Sequence, residues 1–451
     1  MNVPVKKNED ITLEISGMTA EGAGVGRKEG FAVFVPGALE NEIVRVHIIK
    51  VTSSYAVGKL IDVIDPSPFR IAPLCPASLS CGGCCLQHMS YEAQLIYKRR
   101  IVKDALERIG GFSEIDVNPV IGMEDPLRYR NKGSFPFANI DGVVRWGLYA
   151  PRSHRLICPD DCIIENPAAC AAANTVADWA NMYSIPAYDE QTGKGILRHV
   201  VTRSCTGGDA ICIVTAGKLP HRDSLIEMLR KAVPCVRSIV HNINDQKTNV
   251  ILGGEFKTIW GEDNVCHAIC GSEFCVSAES FLQVNTKQTE KLYSLAVEGL
   301  KLTGNEEVAD LFCGIGTISL LIAKHAKRVT GIEYVKRAVD DARRNAKLNG
   351  LTNTEFYAGP AEEILPLLVA EGRKFDSICL DPPRKGAEKA VLEAIAACGT
   401  ERVTYVSCDP ATLARDLKLL CTMGYSIENI QPVDMFPFSH HVETVVLLSR
   451  A

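Results

Sequence analysis

No apolar run in the 451 residues approaches the roughly 20 that a membrane span needs, which excludes a helical membrane protein. The segment from Met1 to Asp10 is charged where a secretory leader needs an apolar core, so a cytoplasmic location is expected. Long runs of like charge are missing as well. With 49 Lys plus Arg facing 54 Asp plus Glu, the formal net charge is -5, which argues against an evenly basic nucleic-acid coat but leaves room for a local basic groove. Compositional bias is also absent. Hydrophobic residues make up 46% and charged residues 23%, with 35 Gly and 22 Pro, a balance that fits a folded chain rather than a disordered, collagenous or coiled-coil one. The length corresponds to two to four domains.

What the chain does have is cysteine, 18 of them without an export signal. A reducing compartment disfavours a disulfide framework, so thiols that are not simple packing are candidates for metal ligation or nucleophilic catalysis. Cys205, Cys212, Cys235, Cys379 and Cys398 lie in apolar surroundings and read as packing.

From Asp10 to Asp65 short alternating runs (ITLEIS, FAVFVP, EIVRVHII, AVGKLIDVI) are separated by Gly-rich turns, the pattern of a small closed barrel of the kind that binds oligonucleotides. A Pro-rich segment and a Cys-rich stretch from Cys75 to Cys85 follow. The run SYEAQLIYKRRIVKDALERIGG then predicts a helix ending near Gly110, with Lys98, Arg99, Arg100 and Lys103 on its polar face. Between Tyr97 and Arg155, Lys and Arg outnumber Asp and Glu by eleven to seven, a modest local excess. Residues of about 117–280 read as mainly β, with one helix near Pro167 to Tyr183 and hairpin signals at Asp141-Gly142 and Gly207-Gly208. Beyond about Glu279, strands and helices alternate, which predicts a doubly wound α/β sheet whose ligand lies past the carboxyl ends of its strands.

Those strand ends carry the chemistry. The strand Val308 to Phe312 enters Cys313-Gly314-Ile315-Gly316-Thr317 and a helix, and the next strand ends in Glu333, placed to accept hydrogen bonds from ribose hydroxyls. The third glycine of the dinucleotide fingerprint is replaced by Ser319, so a nucleoside ligand without a pyrophosphate fits better than NAD. A later strand ends in Asp381-Pro382-Pro383-Arg384-Lys385-Gly386, where Asp381 can anchor a planar polar ligand or cap a helix. Cys408, at the end of the following strand, faces a helix N-terminus that favours thiolate, while Asp409 opposes that effect. Glu443 interrupts a run suited to a buried strand, a costly place for a carboxylate unless it is paired or catalytic.

Taken together, DLFCGIGTISL, DPPRKG, SCDPATLARD, HHVETV and FLQVN at Phe281 to Asn285 closely resemble the RNA uracil-5-methyltransferases, and the resemblance covers nearly the whole chain. It implies a multidomain protein: an OB-like TRAM β-barrel at 1–66, a central mainly β domain with an iron–sulfur site at 67–278, and a C-terminal α/β Rossmann-like methyltransferase domain at 279–451. The implied cofactor is S-adenosylmethionine, held by Gln283, Phe312, Glu333 and Asp381 around the Gly314 and Gly316 turn. Phe312 reads equally well as core. Cys408 is the implied nucleophile and Glu443 the implied base. A TRAM barrel is found on the ribosomal-RNA branch of the family, which favours a single-stranded or loop uridine of 23S ribosomal RNA as target. The same chemistry on transfer RNA is one alternative, and a non-catalytic RNA-binding or assembly protein is another. No membrane association and no obligate protein partner is expected.

Cys75, Cys81 and Cys84, spaced C-x5-C-x2-C, together with Cys162 form a four-thiolate set that suits either zinc or a [4Fe-4S] cluster. The resemblance implies the cluster, in a structural role. Cys85 and Cys158 are nearby spare thiols, and the spacing differs from the C-x3-C-x2-C of radical S-adenosylmethionine enzymes.

Overall fold

The computed structural model describes residues 3–277 and 281–450. The chain divides into two compact units. One comprises Met1–Ile101, Leu148–Ile157 and Phe436–His441; the other comprises Val102–Gly147, Cys158–Met435 and Val442–Ala451.

In the first unit the strands Asp10–Met18, Ala23–Lys28, Phe31–Pro36, Ile43–Val51 and Tyr55–Asp65 form a closed barrel. Alternation along each strand sends Leu13, Ile15, Val33, Val35, Val44, Val46 and Ile48 inward, where all are buried. So narrow a barrel needs glycine where strands crowd. A Cβ on Gly26 would lie 2.4 Å from Leu13, and one on Gly58 2.0 Å from Val46.

The helix begins at Tyr91 and runs to Ala105, continues as a wide turn over Leu106–Gly110, and stops at Gly111 in the left-handed region. Its polar face differs from the sequence expectation at one residue. Lys98 is fully buried with Gln94 and Tyr97, and its Nζ donates to the Phe436 carbonyl at 3.0 Å. A long aliphatic stem lets lysine line an apolar face while its ammonium finds a carbonyl. Arg100 does lie at the surface, 2.5 Å from Glu40.

Among the described residues the second unit holds two large sheets and a separate two-stranded hairpin, Val265–Ile269 with Ser272–Val276. The six-stranded one has the order Glu255–Gly261, Val236–Ile243, Gly208–Thr215, Leu197–Cys205, Lys132–Ile140, Val143–Trp146. Asp141 and Gly142 make the expected tight turn with φ of 53° and 83°. The second hairpin turns one residue earlier than expected, on Thr206 and Gly207, because Cys205 pairs with Gly208. Besides the helix Pro167–Met182 there is a second one, Arg222–Ala232, not foreseen from the sequence; it buries Leu225 and Leu229, one turn apart. Of the cysteines read as packing, Cys212 and Cys379 are buried, whereas Cys235 is exposed.

The seven-stranded sheet has the order Thr354–Ala358, Arg328–Glu333, Glu307–Leu311, Ser377–Leu380, Arg402–Ser407, Glu443–Arg450, Tyr425–Val433. The first five are parallel, and all but the edge strand Thr354–Ala358 are buried along most of their length because helices cover both faces; the last two form an antiparallel hairpin at the other edge. Chain direction across the sheet reverses beside Glu307–Leu311, and that switch point opens a crevice at the carboxyl ends of the strands.

Candidate active site

Four strand ends meet at this crevice. After Leu311 the backbone turns sharply, with Phe312 at φ 65°, Gly314 at 55° and Gly316 at 84°. A left-handed phenylalanine is a strained residue held in place by its surroundings, the kind of feature that clusters at ligand sites; its ring packs partly against the core. A Cβ on Gly314 would meet nothing within 4 Å, so this backbone faces open space, whereas one on Gly316 would press on Ala342 at 3.2 Å. The Glu333 carboxylate is fixed by two amides: Gly314 N–H donates to it at 3.1 Å and Val335 N–H at 2.8 Å. Asn345, buried on the helix Lys336–Leu348, donates from Nδ2 to the Ile315 carbonyl at 3.1 Å and holds the glycine turn from behind.

The second half of the crevice is acidic. Asp381 follows Ser377–Leu380, its N–H donating to Leu311 O at 3.3 Å, and burial of its carboxyl raises the pKa to about 7. Ser407 pairs with Thr444 on the last rung of the ladder, and Cys408, just past that strand, lies within the electrostatic reach of Glu443. Glu443 is 3% exposed, and its Oε2 is buried without a hydrogen-bond partner. Burial raises its pKa to about 8; Asp381 adds to the shift and Arg384 opposes it. Cys408 is pushed up to about 12, first by burial, then by Glu443 and Asp381. The expected help from the helix N-terminus is missing because Asp409 has taken those amides, accepting from Ala411 N–H at 3.0 Å and Thr412 N–H at 2.9 Å. In the free protein Cys408 is therefore a thiol. Tyr293, buried on the helix Thr286–Gly299, lies close to Asp381 and Glu443 and is held protonated by burial.

The loop around Asp381 is itself braced. Tyr405 O–H donates to Asp416 Oδ2 at 2.6 Å, and Ala387 N–H donates to the same oxygen at 2.9 Å. In FLQVN, Gln283 is nearly buried and its carbonyl accepts from Asn131 Nδ2 at 3.0 Å, while Asn285 caps Thr286–Gly299. Thus Gln283, Phe312, Gly314, Gly316, Glu333, Asp381, Cys408 and Glu443 all fall in the second compact unit. Asn345 and Tyr293, which mark no strand end and no turn, were not singled out from the sequence.

The cysteine set is less ordered. Cys75, Cys81 and Cys84 lie in a segment of turns and bends within the first unit, all half-buried, and Cys81 Sγ accepts the Gly83 N–H at 3.3 Å. Spare Cys85 lies 3.5 Å from His440 Nδ1. Cys162 belongs to the second unit and is buried, its carbonyl accepting from Arg128 at 2.7 Å. Among the described residues no group of three or more His, Cys, Asp or Glu side chains is arranged to hold a metal ion.

A glycine turn after the first strand of a parallel sheet, an amide-held acid ending the second, and buried carboxyls at the neighbouring strand ends suit a nucleoside cofactor such as that of an S-adenosylmethionine-dependent methyltransferase. The comparisons narrow this. Residues 269–451 match the tRNA (uracil-5-)-methyltransferase family and residues 4–61 the TRAM domain. An uncharacterized RNA methyltransferase of Halalkalibacterium halodurans is 46% identical, covering 99% of this chain and 98% of its own, and one of Clostridium tetani is 46% identical with the same coverage. Among solved structures, the Pyrococcus abyssi tRNA (uracil-54, C5)-methyltransferase in complex with S-adenosyl-L-homocysteine matches with a TM-score of 0.79 and 25% identity, covering 97% of this chain and all of that one. The chain belongs to the RNA uracil-5-methyltransferase family.

Proposed function

We propose that the chain methylates carbon 5 of a uridine in 23S ribosomal RNA, with Cys408 as nucleophile and Glu443 as base. The observation that carries the chemistry is a thiol just past the last rung, Ser407–Thr444, within the electrostatic reach of a buried carboxyl, one oxygen of which has no hydrogen-bond partner. Carbon 5 of uracil is a weak nucleophile. Addition of the Cys408 sulfur to carbon 6 makes the ring an enolate whose carbon 5 is nucleophilic. Bound S-adenosylmethionine supplies the electrophilic methyl group, and Gln283, Phe312, Gly314, Gly316, Glu333 and Asp381 are the residues we assign to hold it and the base. The open face of Gly314 and the amide-fixed Glu333 suit a nucleoside. Glu443 then removes the proton left on carbon 5, and expulsion of Cys408 restores the ring. Both faces of the base have to be reached, so the uridine is flipped out of any stack.

Cys408 begins as a thiol, so its proton passes to solvent before the sulfur adds to carbon 6, which leaves Glu443 to take the carbon 5 proton. A covalent complex with RNA carrying 5-fluorouridine tests the assignment: a stable adduct is expected with the native chain and none with Cys408→Ala.

The choice of ribosomal RNA rests on the TRAM-bearing branch that the motifs resemble. The barrel is not decisive alone, since the match to the Pyrococcus abyssi enzyme, named for transfer RNA, leaves too few residues uncovered to omit it. Mapping 5-methyluridine in 23S ribosomal RNA and transfer RNA from cells with and without the protein decides between them; loss confined to transfer RNA would reverse the choice.

We further infer three functional regions, 1–66, 67–278 and 279–451, in a cytoplasmic enzyme, and a [4Fe-4S] cluster on Cys75, Cys81 and Cys84 with Cys162 as the fourth ligand expected from the resemblance. Three half-buried cysteines in a segment without helix or strand, one of them accepting an amide, support the cluster. No step of the methyl transfer passes through it. Anaerobically purified protein should contain about four iron atoms per chain; zinc instead would refute the cluster.

A further inference from the structure

The hairpin of Val265–Ile269 and Ser272–Val276 turns on two residues, Cys270 at φ 48° and Gly271 at φ 69°. From such a turn, rungs of the ladder alternate between pairs that exchange backbone hydrogen bonds and pairs that do not. Counting outward from Ile269 and Ser272, Cys266 opposite Cys275 is a pair that does not. The Cys275 N–H agrees with this, pointing away from Cys266 to donate to Asn345 Oδ1 at 2.8 Å. At such rungs the Cα atoms approach to about 4.5 Å and the side chains lie closest, which is inside the range a disulfide spans. Neither cysteine is in a disulfide, both are half-buried, and each side chain lies within the electrostatic reach of the other.

The same strand is tied to the cofactor turn. Asn345 accepts from Cys275 through Oδ1 and donates through Nδ2 to Ile315 O, between Gly314 and Gly316. Asn349 fixes the strand two residues earlier, accepting from Glu273 N–H at 2.9 Å and donating to Glu273 O at 2.6 Å. One buried amide thus spans the gap between a cysteine backbone and the glycine turn.

We propose that Cys266 and Cys275 are a reversible oxidation site, closed to a cross-strand disulfide by hydrogen peroxide, and that closure changes cofactor affinity through Asn345. One sulfur takes an oxygen from the peroxide as the O–O bond breaks and the first water leaves. The other sulfur then displaces that oxygen as a second water. Two S–H bonds are lost, one S–S bond forms, and the peroxide is reduced to two waters. A disulfide restricts the twist of the rung it crosses, and the Cys275 N–H moves with that rung.

The test uses the full-length, reduced protein titrated with hydrogen peroxide, followed by alkylation, digestion and mass spectrometry. A linked Cys266–Cys275 peptide is expected at the lowest effective dose, reversed by dithiothreitol and missing in both Cys266→Ser and Cys275→Ser. S-adenosylmethionine affinity, measured by calorimetry on the same samples, should change by about fivefold or more on oxidation of the native chain and stay constant in the two variants. Reading binding instead of turnover keeps oxidation of Cys408 out of the result. Recovery of Cys266 and Cys275 as separately alkylated peptides, at doses that already oxidise other cysteines, would overturn the site. A linked peptide with unchanged affinity would overturn the coupling. The two serine variants guard against one of them failing to fold.

Discussion

Cys408 and the cysteines of residues 75–85 are the same side chain in two opposite settings. Cys408 follows a strand whose last rung pairs Ser407 with Thr444, and it precedes a helix capped by Asp409, so backbone hydrogen bonds hold the chain on both sides of it. Cys75, Cys81 and Cys84 sit among turns and bends with no ladder to hold them. A nucleophile placed by regular structure is ready before its substrate arrives. Thiols in a segment without regular structure gain their geometry from what they bind, as folding coupled to metal binding requires.

The contrast can be broken from either side. The largest effect is expected at the proposed nucleophile: Cys408→Ala should lower methylation by about 1000-fold or more and abolish the 5-fluorouridine adduct, with thermal stability little changed. Loss of the adduct together with loss of the fold would show that the site is not preformed. Next, Glu443→Gln should reduce turnover by about 100- to 10,000-fold while the adduct still forms, because the amide cannot take the carbon 5 proton. Denaturing gels of enzyme with labelled RNA check this. On the other side of the comparison, Cys81→Ser should remove most of the bound iron and lower the yield of folded protein while leaving Cys408 chemistry intact in whatever fraction folds, as iron assay and adduct yield per folded chain would reveal.

A smaller effect concerns pH. Glu443 titrates at about 8 in the folded chain, well above an ordinary carboxyl. The deprotonated form is the base, so turnover should rise as pH passes about 8, and Glu443→Gln should lack that limb. Stability has the opposite sign. Between the ordinary carboxyl range and about 8 the folded state binds a proton that the unfolded chain has lost, so the raised pKa makes stability fall as pH rises. Melting temperatures of native and Glu443→Gln protein across pH 5 to 9, a range of about four units, should converge at the acid end. The smallest effect is expected for Arg100→Ala, whose half-exposed pair with Glu40 should contribute no more than about 1 kcal/mol in chemical denaturation.

The regions also differ in how far they could be read in advance. The barrel was legible because alternation at period two survives in ITLEIS and EIVRVHII, and the crevice because its glycine turn and its acids stand at strand ends. Lys98 was misplaced, since its burial depends on a carbonyl 338 residues away in the chain. The helix Arg222–Ala232 is hard to read from residue order although Leu225 and Leu229 keep helical spacing, because it is short and buries only those two residues between flanking strands.

From residue order alone came the family, the two kinds of sheet and the short roll of side chains at the strand ends, because local periodicity and turn chemistry are written in neighbouring residues. Protonation and reach are through-space properties. That Cys408 rests as a thiol, that Glu443 keeps a buried oxygen without a partner, and that Asn345 joins Cys275 to the cofactor turn all depend on which distant groups share a small volume of low polarity, and only the folded chain decides that.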